Sequence, residues 1–281
     1  MAVDLHTHSA VSDGSEAPAA VVAAAAAAGL RAVALTDHDV LAGLDEARLA
    51  AEDAGIPFVP GAELSVGWEG RAMHMLAYWI EPGTGPLQDR LAELRRGRDR
   101  RNAEIVAALN DLGFDLTLEE VAAESGDGST GRPHIAAVLM RHGVVGSVAE
   151  AFDRYLAAGR PAYRSRPRLN AAEAVGLIRA SGGVSVVAHP HTVADDRAGF
   201  EQAFEGFVDL GVDGVECHYV EYRPQQRARL AATATRLGLI ATGGSDFHGR
   251  YKPAIAIGSG RGDLSVPDEA YDALAAARPA H

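Results

Sequence analysis

Apolar and polar positions along the first third of the chain fall into blocks that alternate between strand length and helix length. Short apolar runs at Val3–Leu5, Ala32–Leu35, Phe58–Val59 and Met73–Trp79 suit strands. Between them, Glu16–Ala28 and Ala42–Ala54 are alanine-rich, of helical length, and stop at Gly29 and Gly55. Strands separated by helices at this interval predict βαβ units and a parallel sheet, because parallel neighbours need a crossover. From about Leu87 to Tyr163 charged helical patterns, among them Asp89–Leu112 and Pro133–Arg141, follow one another with no convincing strand. The alternation then resumes, with helices over Ala171–Ser181, Phe200–Leu210 and Gln225–Leu237 and strands over Val184–Ala188, Gly214–Cys217 and Leu239–Thr242. Seven or eight strands in all is the number that closes a TIM-like α/β barrel, whose sites lie at the C-terminal strand ends. The expected organisation is a first barrel part at 1–90, a helical insertion capping the substrate site at 91–165, and a second barrel part at 166–281.

Composition narrows the function classes. A chain of 281 residues with 47% hydrophobic and 23% charged residues is an ordinary globular mixture, not a disordered one. The net charge of −12 argues against coating nucleic acid, duplex DNA included, by bulk electrostatics, so a phosphate-bearing ligand has to be met by local cations or metal ions. The single cysteine, Cys217, allows neither an internal disulfide nor a cysteine-held zinc and fits a reducing compartment. The N-terminus lacks the pattern of a secretory signal. The longest apolar stretch, Ala19–Ala28, falls short of the roughly 20 residues a bilayer span needs. A cytoplasmic location with no membrane partner is therefore expected.

Chemistry-bearing residues gather at the expected strand ends. The first strand runs into His6-Thr7-His8, and on an extended backbone i and i+2 point to one face, so both imidazoles can reach one metal. A lone histidine is more often an ordinary core or surface residue. The set carries more weight: His6, His8, His38, His74, His189 and His248 lie at or near the ends of expected strands, together with Asp13, Glu63 and Asp246. On a barrel these nine groups converge on one face. They exceed what one tetrahedral ion needs and suit two or three divalent cations bridged by carboxylate.

Asp4-Leu5-His6-Thr7-His8-Ser9, Ser12-Asp13-Gly14, Thr36-Asp37-His38-Asp39, Gly61-Ala62-Glu63-Leu64-Ser65, His74, Ala188-His189-Pro190 and Ser245-Asp246-Phe247-His248 together resemble the motifs of the PHP (polymerase and histidinol phosphatase) family. The resemblance implies a distorted (βα)7 barrel with a trinuclear metal centre that hydrolyses phosphoesters. By matching motif, His6, His8, Glu63 and Asp246 surround one ion, Glu63 bridges to a second held also by His74 and His189, and Asp13, His38 and His248 hold the third. Within the insertion, Gly131-Arg132-Pro133-His134-Ile135-Ala136 and Gly159-Arg160-Pro161-Ala162-Tyr163 resemble segments of a TrpH/YciV-like subgroup acting on nucleoside 3′,5′-bisphosphates and on the 5′ ends of short RNA. Arg132 and Arg160 offer bidentate forks for a second phosphate, and His134 adds a donor.

The expected reaction is hydrolysis of a nucleotide phosphate ester by a metal-bridging hydroxide. Its targets are the 3′-phosphate of nucleoside 3′,5′-bisphosphates or the 5′-end nucleotides of short RNA, with Asp13, Glu63 and His248 as the catalytic metal-holding groups. Mn2+ is the first expectation for the metal, with Fe2+ or Zn2+ as the others, since imidazole and carboxylate together admit all three. A histidinol-phosphate phosphatase shares the metal site, but the insertion motifs count against it. A non-catalytic metal- or nucleotide-binding module would have lost ligands, and all nine positions are filled. The remaining features take bland readings: the arginines at 95, 96, 98, 100 and 101 as a solvated helix laced with ion pairs, Arg261-Gly262-Asp263 as chance, and His191 and His218 as solvent-exposed side chains, the alternatives for either histidine being a group that supports a ligand or a proton donor to the leaving group.

Overall fold

The computed structural model describes residues 2–125, 130–165, 168–194 and 197–279. Its first strand, β1 (Ala2–Val3), pairs antiparallel with a late strand, β9 (Val266–Pro267), through Ala2 opposite Pro267. Beyond β1 the chain stays extended to His8 and is held on both sides. Asp4 N donates to Ala32 O at 3.2 Å, Leu5 N to Gly243 O at 3.1 Å and His8 N to Phe247 O at 3.0 Å. These bonds set the segment between β2 (Val33–Leu35) and β8 (Ile240–Gly244).

The curved sheet runs in the order β2, β3 (Phe58–Trp68), β4 (Arg71–Tyr78), β6 (Val184–Ala188), β7 (Gly214–Tyr219), β8, with β5 (Leu169–Asn170) also paired to β3. Most pairings are parallel, as expected from the crossover helices α1 (Pro18–Ala27), α2 (Leu44–Ala54), α7 (Ala171–Ala180), α8 (Arg197–Leu210) and α9 (Pro224–Arg236). The terminal helix α10 (Glu269–Ala276) follows β9. All five residues of β6 are buried, the pattern of a strand covered on both faces.

One expectation fails at β4, which runs antiparallel to both β3 and β6. The sequence suggests that the third strand stops at Val59, before Pro60-Gly61. Instead β3 continues for 11 residues and turns back through Glu69 and Gly70, both at positive φ (48° and 76°). Paired positive φ values match the twist of a two-residue hairpin, so no helix is needed between these strands.

A second group of helices comprises α3 (Pro86–Asp111), α4 (Leu118–Ser125), α5 (Arg132–Arg141) and α6 (Val148–Ala151). It has its own apolar cluster, including Ile105, Leu109, Ile135, Leu139 and Leu156, separate from the sheet core built on residues such as Leu35, Leu64, Leu76 and Phe204. Helix α3 joins the two: Leu87, Leu91 and Leu94 sit in the sheet core, Ile105 and Leu109 in the second cluster. The expected boundary at 90/91 therefore falls inside a continuous helix, and the one at 165/166 adjoins residues outside the described set. Among the described residues no helix is long and apolar enough to cross a membrane.

Candidate metal centre

The extended segment after β1 alternates its side chains, placing His6 and His8 on one face with Nε2 atoms 3.1 Å apart. Two carboxylates position the loops around them. Asp4 accepts from Ser245 N at 2.9 Å and Gly258 N at 2.7 Å, fixing the strand that leads to Asp246. Asp37 accepts from Ser9 N at 2.8 Å and from the Ser9 and Ser12 hydroxyls at 2.6 Å, folding the loop that delivers Asp13. Three non-glycine residues here adopt positive φ: Asp39 at 56°, His189 at 27° and Asp246 at 54°. Backbone strain of this kind gathers where side chains must be aimed at a site.

Glu63 lies at the middle of the cluster. Its Oε1 is 2.7 Å from His74 Nδ1 and 2.9 Å from His189 Nε2, while its Oε2 is 3.1 Å from His38 Nδ1, 3.2 Å from His8 Nε2 and 3.4 Å from His6 Nε2. On one side Asp13 stands 3.3 Å from His248 Nε2 and 3.7 Å from His38 Nε2. On the other, Asp246 Oδ1 stands 3.3 Å from His8 Nε2 and 3.6 Å from His6 Nε2. The nine sequence-derived positions thus come together. Three donor groups fall within 4.8 Å: His8, Asp13, His38 and His248; His6, His8 and Glu63; and His38, Glu63 and His74.

Electrostatics and tautomers fit a cation. Burial alone would raise the Asp13 carboxyl, but His38 and His248 hold it well below the usual range. Burial likewise opposes Glu63, and His38, His74 and His6 bring it well down. His6 Nδ1 faces Glu216 Oε1 at 2.9 Å and His248 Nδ1 faces the Asp246 carbonyl at 2.8 Å, so each ring donates there and turns the lone pair of Nε2 toward a carboxylate. A lone pair facing a carboxylate oxygen is repulsive unless a proton or a metal ion lies between them. Buried ring nitrogens without a hydrogen-bond partner, His8 Nδ1 and His189 Nδ1, add to the unspent donor capacity. The donor set therefore fits divalent metal ions.

Seven of the nine residues line a cavity of about 630 Å³, and His6 and His8 lie fully buried beneath it. The sequence-derived phosphate ligands divide. Arg132 lines the cavity, donating to Leu156 O at 3.1 Å and lying over the Phe152 ring. His134 does not line it: its Nδ1 accepts from Gly131 N at 2.9 Å, making it a buried cap on the first turn of α5. Arg160 does not line it either, because its exposed guanidinium donates to Asp153 at 2.8 Å. His191 is half-buried against Tyr219 and Tyr222 instead of free in solvent, and His218 is half-buried as well.

Several positions went unread in the sequence. Glu216 holds His6 and also accepts from His189 N at 2.8 Å. Lys252 Nζ at 2.6 Å and Tyr219 OH at 2.8 Å both donate to Asp246 Oδ2. The acid of the Gly214-Val215-Glu216 run, within an expected strand, was the available signal for Glu216.

A PHP domain model matches residues 4–176, which include His6, His8, Asp13, His38, Glu63 and His74. The chain belongs to the PHP family. Over 247 residues it is 35% identical to a Chromobacterium violaceum relative named 3′,5′-nucleoside bisphosphate phosphatase, covering 88% of this chain and 87% of that one. A Haemophilus influenzae relative named 5′-3′ exoribonuclease is 34% identical over 246 residues, covering 87% and 89%. Among solved structures, a Bifidobacterium adolescentis protein described as a metal-dependent phosphoesterase aligns with TM-score 0.87 at 32% identity, over 99% of this chain and 96% of its own. The PHP fold here is accordingly mixed α/β around a curled sheet.

Proposed function

We propose that this PHP protein hydrolyses a phosphate ester of a nucleotide, using two or three divalent cations, Mn2+ first, held by His6, His8, Asp13, His38, Glu63, His74, His189, Asp246 and His248. The observation that carries the proposal is Glu63, a buried carboxylate shared by five imidazoles in the floor of a cavity. Bound there, divalent ions supply Lewis acidity, neutralising charge on phosphoryl oxygens and making water a nucleophile near neutral pH. The chain's own groups do the rest. Lys252 and Tyr219 grip one oxygen of Asp246, leaving the other turned to His6 and His8. Arg132 presents a guanidinium with no carboxylate partner among the described residues, suited to an anionic substrate.

The volume of about 630 Å³ suits a mononucleotide. For this chain the relatives' names point to a common chemistry: a nucleoside carrying a 5′-phosphate, with the phosphorus under attack on its 3′-oxygen. A free 3′,5′-bisphosphate and the 5′ end of a short RNA both meet that description. On this reading the Asp4–His8 segment completes a distorted (βα)7 barrel, and residues 91–165 form an inserted substrate-binding cap.

The test is a side-by-side assay of adenosine 3′,5′-bisphosphate, a 5′-phosphorylated oligoribonucleotide and histidinol phosphate with added Mn2+. Turnover of either nucleotide, abolished by EDTA and restored by metal, is expected. Turnover confined to histidinol phosphate, or unaffected by complete metal removal, sinks the proposal.

A further inference from the structure

The loops that carry Asp13 and His248 are laced together. Ser15 N donates to the His248 carbonyl at 3.2 Å, and the Ser15 hydroxyl accepts from Arg250 N at 2.9 Å. Between them Gly249, at φ 61°, leaves no room for a Cβ, which would collide with the Ser15 hydroxyl. Two residues on, Tyr251 is buried, and its side chain leaves this loop for the second group of helices.

There it meets two partners. Its OH donates to Glu124 Oε1 of α4 at 3.2 Å, an oxygen that also accepts from Arg250 Nη2 at 2.8 Å. The other Glu124 oxygen accepts from Arg141 of α5 at 2.9 Å. Arg250 and Glu124 alone would make a weak tie, because the arginine side chain is 63% exposed, whereas the largely buried Glu124 and Tyr251 supply the firm part. The Tyr251 ring also stands edge-to-face with His134, centroids 5.2 Å apart and planes at 81°, an attractive arrangement in itself. His134 Nδ1 accepts from Gly131 N, so the imidazole is held on one side by the first turn of α5 and on the other by Tyr251. That turn in its own right leans on the metal cluster: a Cβ on Gly131 would stand 3.5 Å from Asp13 Cβ.

A chain of contacts thus leads from His248 through Tyr251 and His134 to Gly131 and back to Asp13. It closes a ring around one side of the nine-residue cluster, and away from α3 it ties the helices of the second apolar cluster to the sheet body across the cavity. Resting on the cation-holding reading of those nine residues, we propose that Tyr251, with Glu124 and Arg250, is a positioning residue for the ion held by Asp13, His38 and His248. It seats the first turn of α5 against Asp13, so that binding of this ion and seating of the helices over the cavity are coupled. Coupling of this kind is reciprocal: a clasp that tightens the ion is tightened by the ion to the same extent.

The experiment titrates metal-free protein with Mn2+ by calorimetry and counts metal per chain after gel filtration. It compares the unmutated protein, Tyr251→Leu, Tyr251→Phe and the control Arg141→Gln, which removes a Glu124 partner on the helical side alone. Tyr251→Leu should weaken one class of ion about 10- to 100-fold, the scale of losing a group behind a ligand, and leave the others in place. Tyr251→Phe keeps the ring against His134 and loses only the hydroxyl; it should fall between the two, and it carries the test where Tyr251→Leu does not fold. Hydrogen exchange supplies a readout that a merely structural role would not move: Mn2+ should slow the amides of α5 in the unmutated protein and in Arg141→Gln, and fail to do so in Tyr251→Leu. No substrate is present, so a contact between Tyr251 and a bound nucleotide does not enter. Both Tyr251 variants holding every ion as tightly as the unmutated protein, an equal loss in Arg141→Gln, or α5 protected alike with and without metal overturns the positioning role while leaving the cation reading standing. An unmutated protein that takes up no divalent ion overturns both.

Discussion

Glu63 and Glu216 are both fully buried carboxylates, yet they do different work. Glu63 stands among five imidazole ring nitrogens at the cavity floor, whereas Glu216 accepts hydrogens from His6 Nδ1 and His189 N and lies behind them. Replacing Glu216 by Gln keeps the shape but puts an amide NH2 against one of these two donors, freeing the His6 ring to turn. Metal affinity should fall about 10- to 100-fold, the usual effect of losing a partner behind a ligand, as read by titration of metal-free protein. Unaltered affinity would show that His6 is aimed by packing alone. Asp13→Ala removes a ligand position outright and should abolish turnover, with metal content per chain reduced. The nine converging positions were legible because histidines and acids recurred at strand ends, a pattern that needs no knowledge of the fold. Glu216 and Arg98 were hidden for opposite reasons. One is a single acid inside an apolar strand, and the other sits in a run so charged that only the packing of α3 reveals that Arg98 turns inward onto Asp39.

At the level of elements, the close approach of strands decides what the backbone tolerates. Gly244, at the end of β8, lies so near the His6 segment that a Cβ would stand 2.3 Å from His6 Cβ and 2.5 Å from His6 N. Gly244→Ala therefore has to push β8 away from the strand that supplies two of the imidazoles. It should cost about 1–3 kcal/mol of stability, the usual price of overpacking, and lower metal affinity as well. Denaturant unfolding and metal titration of the same variant check both effects, and full metal affinity in a destabilised variant would separate the strand contact from the site. The helices and parallel strands could be read from alanine-rich and β-branched blocks. The β3–β4 hairpin could not, because Pro60-Gly61 looks like a stop while pairing in register with Leu35 and Tyr78.

Across the whole molecule, residues from position 6 to position 248 are gathered around one cluster, so bound cations tie the sheet together at the cavity floor. Metal that binds only the folded chain stabilises it by about 4 kcal/mol at a thousandfold excess over Kd, and melting should rise by several degrees on metal addition. The pH dependence of that rise follows from the metal-free protein. There, burial opposes the His8 imidazolium, but the hydrogen bonds it donates to Asp246 and Glu63 outweigh it and raise its pKa from 6.5 to about 9. A histidine raised on folding stabilises fully below its unfolded pKa, and that contribution disappears as pH climbs through the folded value. His38 and His248, which burial lowers, oppose this only near pH 6.5, where the unfolded imidazoles finish losing their protons, and add no slope through the upper part of the window. Metal-free protein should therefore lose stability between about pH 6.5 and 9, where its buried protons are released and the acids they neutralised are left facing lone pairs. Metal supplies the missing positive charge over the same interval. The melting-temperature difference between metal-loaded and EDTA-treated protein should widen from pH 6.5 to pH 9, and scanning calorimetry at three or four pH values reads it directly. A difference that narrows as pH rises would mean that protons and cations do not compete for these imidazoles, and the cluster would then have to be explained as a hydrogen-bonded core.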